Sequence, residues 1–186
     1  MYIVIGASSF IGVYTVDEFL MQGCEVIVTG RKNKFKEHYD KLGVSYINLD
    51  LTEEADFEQL PKKGVEGVIL LSGLLPANSE INLDEDENAA DYFYVNTIGT
   101  INVLEYCRKN NIKRVISNCS YADVCGVWGR KTITETEPRN FIYKGDHAVY
   151  VFSKNAANDM LEYYNQQHGM KNAWFRFPPV YGVGPH

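Results

Sequence analysis

Short apolar runs alternate with longer stretches of helical spacing along this chain, and few folds accept that order. Tyr2–Ile5, Glu25–Thr29, Val44–Leu49, Val65–Leu71, Arg114–Cys119 and Ala173–Phe177 read as strands. Several are apolar on successive residues, as expected when helices cover both faces of a parallel sheet. Between them Ile11–Gln22, Lys34–Leu42, Asp91–Asn110 and His147–His168 carry helical spacing, with Ile98, Ile101, Leu104 and Tyr106 recurring at about the helical period. The alternation predicts right-handed βαβ units and an α/β fold built on a doubly wound parallel sheet. The 186 residues suffice for one such domain, and neither a repeat nor a low-complexity linker divides them. The acidic run Asp84-Glu85-Asp86-Glu87 reads as a solvated helix start, favoured there by the helix dipole. The last residues, from Pro178 to His186, are turn-rich and cannot continue a helix.

Composition removes some classes of function. A net charge of -6 argues against a nucleic-acid surface, which needs clustered Lys and Arg. No apolar run approaches the length of a membrane span, and the start reads as a first strand instead of a leader peptide. Cys24, Cys107, Cys119 and Cys125 form no Cys-x-x-Cys pair, and His38, His147, His168 and His186 are scattered. The expectation is free thiols in the reducing cytoplasm and no metal site.

The first strand runs into Gly6-Ala7-Ser8-Ser9-Phe10-Ile11-Gly12, where a helix begins. In a dinucleotide fold, glycines at this turn permit the tight bend, backbone approach to the pyrophosphate, and close helix–strand packing. The helix N-terminus then offers free N–H groups to the anion. Gly6 and Gly12 fit the first and last tasks; Ser9 takes the middle place, with a hydroxyl that can bond a phosphate oxygen. Strand two ends in Thr29-Gly30-Arg31-Lys32. An acidic residue there would bind the ribose of NAD; Arg31 and Lys32 suit a 2′-phosphate and hence NADP, with NAD as the alternative. Asp50, at the end of strand three, is placed either to accept from adenine or to cap a helix.

These motifs, in this order, make the chain resemble the extended short-chain dehydrogenase/reductases, the NAD-dependent epimerase/dehydratase family. The resemblance rests on Gly6-x-x-Ser9-x-x-Gly12, Asp50-Leu51-Thr52, Ser72-Gly73, Asn96-Thr97-Ile98-Gly99-Thr100, Tyr150-Val151-Phe152-Ser153-Lys154 and the closing Arg176-Phe177-Pro178-Pro179-Val180-Tyr181-Gly182. It implies a Rossmann sheet whose cofactor is met by Gly6, Ser8, Ser9, Phe10, Ile11, Gly12, Arg31, Lys32, Asp50, Leu51, Ser72, Gly73, Asn96, Tyr150, Lys154 and Pro178. It also implies that Tyr150 is the acid/base and that Lys154 binds the nicotinamide ribose and lowers the tyrosine pKa. An ammonium at ~4 Å, with an effective dielectric of ~20, contributes about 4 kcal/mol, roughly three pKa units.

The chain departs from the family in two places. The middle glycine of the phosphate loop is Ser9. Where the family has a serine or threonine five residues before a glycine, counting back from Gly126 gives Tyr121, with Ser120 adjacent. The substrate-oxygen donor is therefore Ser120 or Tyr121. The family also continues past the Tyr181-Gly182 turn, so the expectation is one dinucleotide-binding domain over residues 1–186 that stops before its substrate-binding part. The function implied is epimerisation, dehydration or reduction of a sugar nucleotide or related hydroxy/keto compound by hydride transfer. The rival is a catalytically degenerate module that binds dinucleotide as a redox sensor or scaffold. The long helices offer a face for a homodimer.

Overall fold

The computed structural model describes residues 1–76, 89–127, 129, 132–141 and 148–184. The acidic run at 84–87, His147 and His186 lie outside the described residues. Strand β1 (Tyr2–Ile5) leads to helix α1 (Phe10–Met21), β2 (Val26–Gly30), a 3₁₀ turn (Asn33–Phe35), α2 (Lys36–Lys41) and β3 (Ser45–Asn48). A second 3₁₀ turn (Glu54–Gln59) precedes β4 (Gly67–Leu70). Then come α3 (Ala89–Tyr92), a π-helical segment (Phe93–Ile98), α4 (Gly99–Lys109) and β5 (Val115–Ser120). A third 3₁₀ turn (Tyr121–Val127), α5 (Ala148–His168) and β6 (Ala173–Phe177) follow.

The six strands pair in parallel in the order β3-β2-β1-β4-β5-β6. This is the doubly wound α/β sheet expected from the sequence. The order reverses between β1 and β4, and ligands of such sheets lie in the crevice beyond the strand ends at that point.

Strand periodicity divides the core between the two faces. Ile3, Ile5, Val68 and Leu70 are buried with Val103, Leu104 and Leu161 of α4 and α5. Val4, between Ile3 and Ile5, points the other way and joins Val16, Val26, Val28 and Tyr39. Each aliphatic side chain so buried contributes about 1.5–3 kcal/mol. Cys107 and Cys119 are buried in the structure, and the four thiols are free.

The helix expected over Asp91–Asn110 runs unbroken from Ala89 to Lys109, with a π turn between α3 and α4. Two contacts account for the π turn. Gly99 lies against Leu51, where a Cβ would come within 2.7 Å of the leucine Cβ, and Asn102 donates to the Leu51 carbonyl at 2.8 Å. One turn earlier Asn96 is buried and bonded to the loop after β4 and to α5. The wider π turn lets a single helical path satisfy both, and such turns often mark functional places.

A buried ion pair fixes β6 to the loop after β5. Arg176 donates from Nη2 to Asp123 Oδ2 at 3.0 Å and to the Glu137 carbonyl at 3.2 Å. Its Nε sits 2.9 Å from Asp123 Oδ1, close enough for charge attraction though not aligned as a hydrogen bond. Removing one partner of a buried pair strands the other charge. Asp123→Ala is expected to lower the unfolding free energy by about 3 kcal/mol in urea denaturation. A loss under about 1 kcal/mol would show that water replaces the carboxylate at Arg176.

Candidate active site

The turn from β1 into α1 leaves no room for side chains at two positions. Gly6 has a φ of +87°, and a Cβ on it would lie 2.6 Å from the Ser72 nitrogen. A Cβ on Gly12 would lie 2.2 Å from the Gly6 carbonyl oxygen. The loop is tied down by the Gly6 and Ala7 N–H groups, which donate to the Thr29 carbonyl at 3.2 and 3.1 Å. Ser9 caps α1, its Oγ accepting from the Gly12 N–H at 3.0 Å. The hydroxyl oxygen that the sequence offered to a phosphate thus serves the helix. In the first turn, the N–H groups of Phe10 and Ile11 have no carbonyl four residues back within the helix. A dinucleotide pyrophosphate fits this cradle: glycine at both places packs the strand end and the helix start tightly together, and bare N–H groups face the space beyond them.

At the end of β2, Arg31 and Lys32 are exposed, and neither side chain forms an ion pair among the described residues. Asp50 is turned to local work: its Oδ1 accepts from the Thr52 N–H at 2.9 Å and the Thr52 hydroxyl at 2.8 Å. Leu51 is buried against Gly99. Asp50 does not cap a helix: the 3₁₀ turn that follows has Glu53 at its N-cap with no side-chain cap bond, and the Asp50 carboxylate closes a local turn with Thr52 instead.

Ser72 and Gly73 follow β4 at the switch point. Asn96 holds this loop from beneath. Its Oδ1 accepts from the Leu74 N–H at 2.7 Å, and its Nδ2 donates to the Leu74 carbonyl at 3.1 Å and to Ser153 Oγ at 2.9 Å. Ser153 donates onward to the Tyr150 carbonyl at 2.8 Å. A Cβ on Gly73 would fall 2.9 Å from Asn96 Oδ1 and 4.0 Å from Lys154 Nζ. The loop, the π turn and α5 therefore meet at one point.

Tyr150 and Lys154 stand on successive turns of α5, both buried. The phenol ring meets Tyr92 edge to face, with centroids 6.4 Å apart. Burial pushes the Tyr150 pKa up to about 12, with the Ser120 hydroxyl beside it pulling the other way. Burial likewise pulls Lys154 down to about 8, partly countered by Cys119. Lys154 is not among the groups that move the Tyr150 phenol in this structure. The amine is directed to Asn118, donating to its Oδ1 at 3.4 Å, and desolvation governs both groups.

Ser120 ends β5 and accepts from the Ala122 N–H at 3.1 Å, while Tyr121 opens the following 3₁₀ turn, half-buried. The hydroxyl beside the Tyr150 phenol is that of Ser120. Pro178 is exposed, just beyond β6. Sequence reasoning gave no role to Asn118, Ser153 or Tyr92. Asn118 had a signal, as a polar residue within an otherwise foldable strand; the partners of the other two come from distant elements.

A doubly wound sheet with a glycine turn at its switch point and a buried Tyr-x-x-x-Lys helix defines a Rossmann-type domain of the extended short-chain dehydrogenase/reductase kind. The chain belongs to the NAD dependent epimerase/dehydratase family, which matches residues 2–186. It is 28% identical over 130 residues to a UDP-glucose 4-epimerase of Pisum sativum, covering 63% of this chain and 36% of that protein. Among solved structures it is similar to the Thermus thermophilus UDP-glucose 4-epimerase in complex with NAD. The TM-score there is 0.79 at 24% identity, over 94% of this chain and 54% of that one. The Brucella ovis UDP-glucose 4-epimerase in complex with NAD gives 0.75 at 25% identity, over 94% and 50%. The chain spans about half the length of the curated relatives it matches along nearly its whole length.

The buried lysine has a consequence for folding. Between pH 8 and 10.5 the unfolded chain keeps a proton on Lys154 that the folded chain has lost, so this residue makes stability rise with pH across that window. Lys154→Met is expected to stabilise the fold at about pH 7 by roughly 3 kcal/mol and to lose most of that advantage by about pH 10. Urea denaturation of both proteins at several pH values checks it. A constant difference would mean that Lys154 folds with its proton on.

Proposed function

We propose that residues 1–186 are the cofactor-binding and proton-transfer part of a sugar-nucleotide epimerase that prefers NADP(H). The observation that carries this reading is that the loop after β4 touches both parts of the site, a Cβ on Gly6 lying 2.6 Å from the Ser72 nitrogen and a Cβ on Gly73 lying 4.0 Å from Lys154 Nζ. The bound nicotinamide supplies a carbon that accepts and gives hydride. The chain's own residues do the rest. The turn at Gly6 and Gly12 and the N–H groups of Phe10 and Ile11 hold the pyrophosphate, and Arg31 and Lys32 hold a 2′-phosphate. Lys154 donates to ribose hydroxyls. Tyr150 keeps its proton at neutral pH, gives it to a substrate oxygen when a ketone is reduced, and takes it back when the alcohol is oxidised. Ser120 donates to the same oxygen, which makes Tyr121 a wall of the pocket.

Epimerisation is favoured over simple reduction because the Pisum sativum and Brucella ovis relatives are UDP-glucose 4-epimerases. A degenerate sensor would share the cradle but would not need Tyr150 and Lys154 buried together.

Two measurements test the proposal. Wild type is expected to bind NADPH at least about tenfold tighter than NADH, and Arg31→Ala to lose most of that preference, as expected for charge-assisted hydrogen bonds. Titration of nicotinamide fluorescence reads both constants, and tighter binding of NADH would overturn the cofactor assignment. In the full-length protein assayed with UDP-glucose, Tyr150→Phe is expected to slow hydride transfer by roughly 10²–10⁴ with cofactor affinity unchanged. An equal loss in Tyr121→Phe would move the proton to Tyr121.

A further inference from the structure

The geometry points to Tyr46, held by Tyr39, as the positioning residue that sets the shape of the 2′-phosphate corner and with it the choice between NADPH and NADH. This rests on the NADP reading above and goes beyond Arg31 and Lys32 themselves. Two exposed cations on a free loop discriminate poorly, because each must be ordered when the phosphate arrives and the entropy of ordering offsets the attraction. Here the backbone that carries them is held in place.

Tyr46, near the start of β3, donates from its phenol to the Lys32 carbonyl at 2.6 Å. Its oxygen also fills the space above Gly30: a Cβ on Gly30 would lie 2.3 Å from Tyr46 Oη and 3.2 Å from Ser8 Oγ. The phenol, the Ser8 hydroxyl and the backbone of Gly30 to Lys32 therefore form one corner. The Tyr46 ring stacks on Tyr39 with centroids 6.0 Å apart and planes 20° from parallel. Tyr39 is fully buried and donates to the Ala7 carbonyl at 2.7 Å. A continuous path thus runs from the phosphate loop at Ala7, through two tyrosine rings, to the carbonyl of Lys32. It fixes the distance between the pyrophosphate cradle and the pair of cations.

A bound nucleotide carrying a 2′-phosphomonoester engages both ends of that path. A nucleotide with a plain 2′-hydroxyl needs only the first. Loss of the Tyr46 hydroxyl should therefore weaken NADPH and spare NADH, whereas a general loosening of the fold would weaken both.

The experiment is a titration of the chain with NADPH and with NADH, followed by nicotinamide fluorescence, for wild type, Arg31→Ala, Tyr46→Phe and Gly30→Ala. Tyr46→Phe keeps the ring and its stacking; Gly30→Ala displaces the phenol from the other side and carries the test if the first variant folds poorly. The expected result is a loss of about three- to tenfold in NADPH affinity for each, with NADH within about twofold of wild type. If wild type prefers NADPH and Arg31→Ala loses the preference, but neither other variant changes the NADPH-to-NADH ratio, Tyr46 has no positioning role and the cofactor reading stands. If wild type prefers NADH, the cofactor reading falls and this inference falls with it.

Discussion

The arrangement turns on one buried amide. Asn96 joins three segments that are far apart in sequence: the loop after β4, the π turn on which it sits, and the Tyr150–Lys154 stretch of α5 reached through Ser153. Thr97 adds a second tie, donating to the Ser153 carbonyl at 2.9 Å. In a low-dielectric interior an amide with all its partners in place specifies a single arrangement, because every alternative strands polar groups. The sheet fixes where the strands end. Asn96 fixes how the helix bearing the reactive groups is aimed at those ends.

Burial then decides the chemistry of those groups. Desolvation acts in opposite directions on an acid that is neutral when protonated and on a base that is charged when protonated. Tyr150 goes up and Lys154 goes down, so both favour their uncharged forms. Cys119, buried beside them, is also pushed up and stays a thiol. At neutral pH Tyr150 is therefore a neutral phenol, while Lys154, with its pKa at about 8, still carries most of its proton.

Much of this was legible in the sequence, and the reason differs by element. Strands β1, β2 and β4 were readable because residues such as Ile3, Val4 and Ile5 are apolar on both faces, a pattern a surface helix cannot carry. Gly6, Gly12, Tyr150 and Lys154 were readable because their spacing is local. The π turn was not, since Phe93–Ile98 keeps nearly helical spacing and the turn comes from Leu51 and Ser153, which only the fold brings near. The direction of Lys154 was not legible for the same reason: Asn118 lies 36 residues away on β5. Spacing placed the lysine and tyrosine on one helix face but could not say that a strand side chain would draw the amine aside.

The two ends of the site are built by different means. The chemical end depends on a buried polar network that links Asn96, Ser153 and the Tyr150 carbonyl, so a single change there propagates. The end that we propose meets the adenosine carries two exposed side chains, Arg31 and Lys32, on a backbone braced from behind by Tyr39 and Tyr46. Exposed residues can be exchanged at little cost to folding, since substitutions outside buried networks usually change stability by under about 0.5 kcal/mol. On that reading the charge and the shape of the corner are separable: replacing Arg31 removes a cation and leaves in place a corner still shaped by Tyr46 and Gly30.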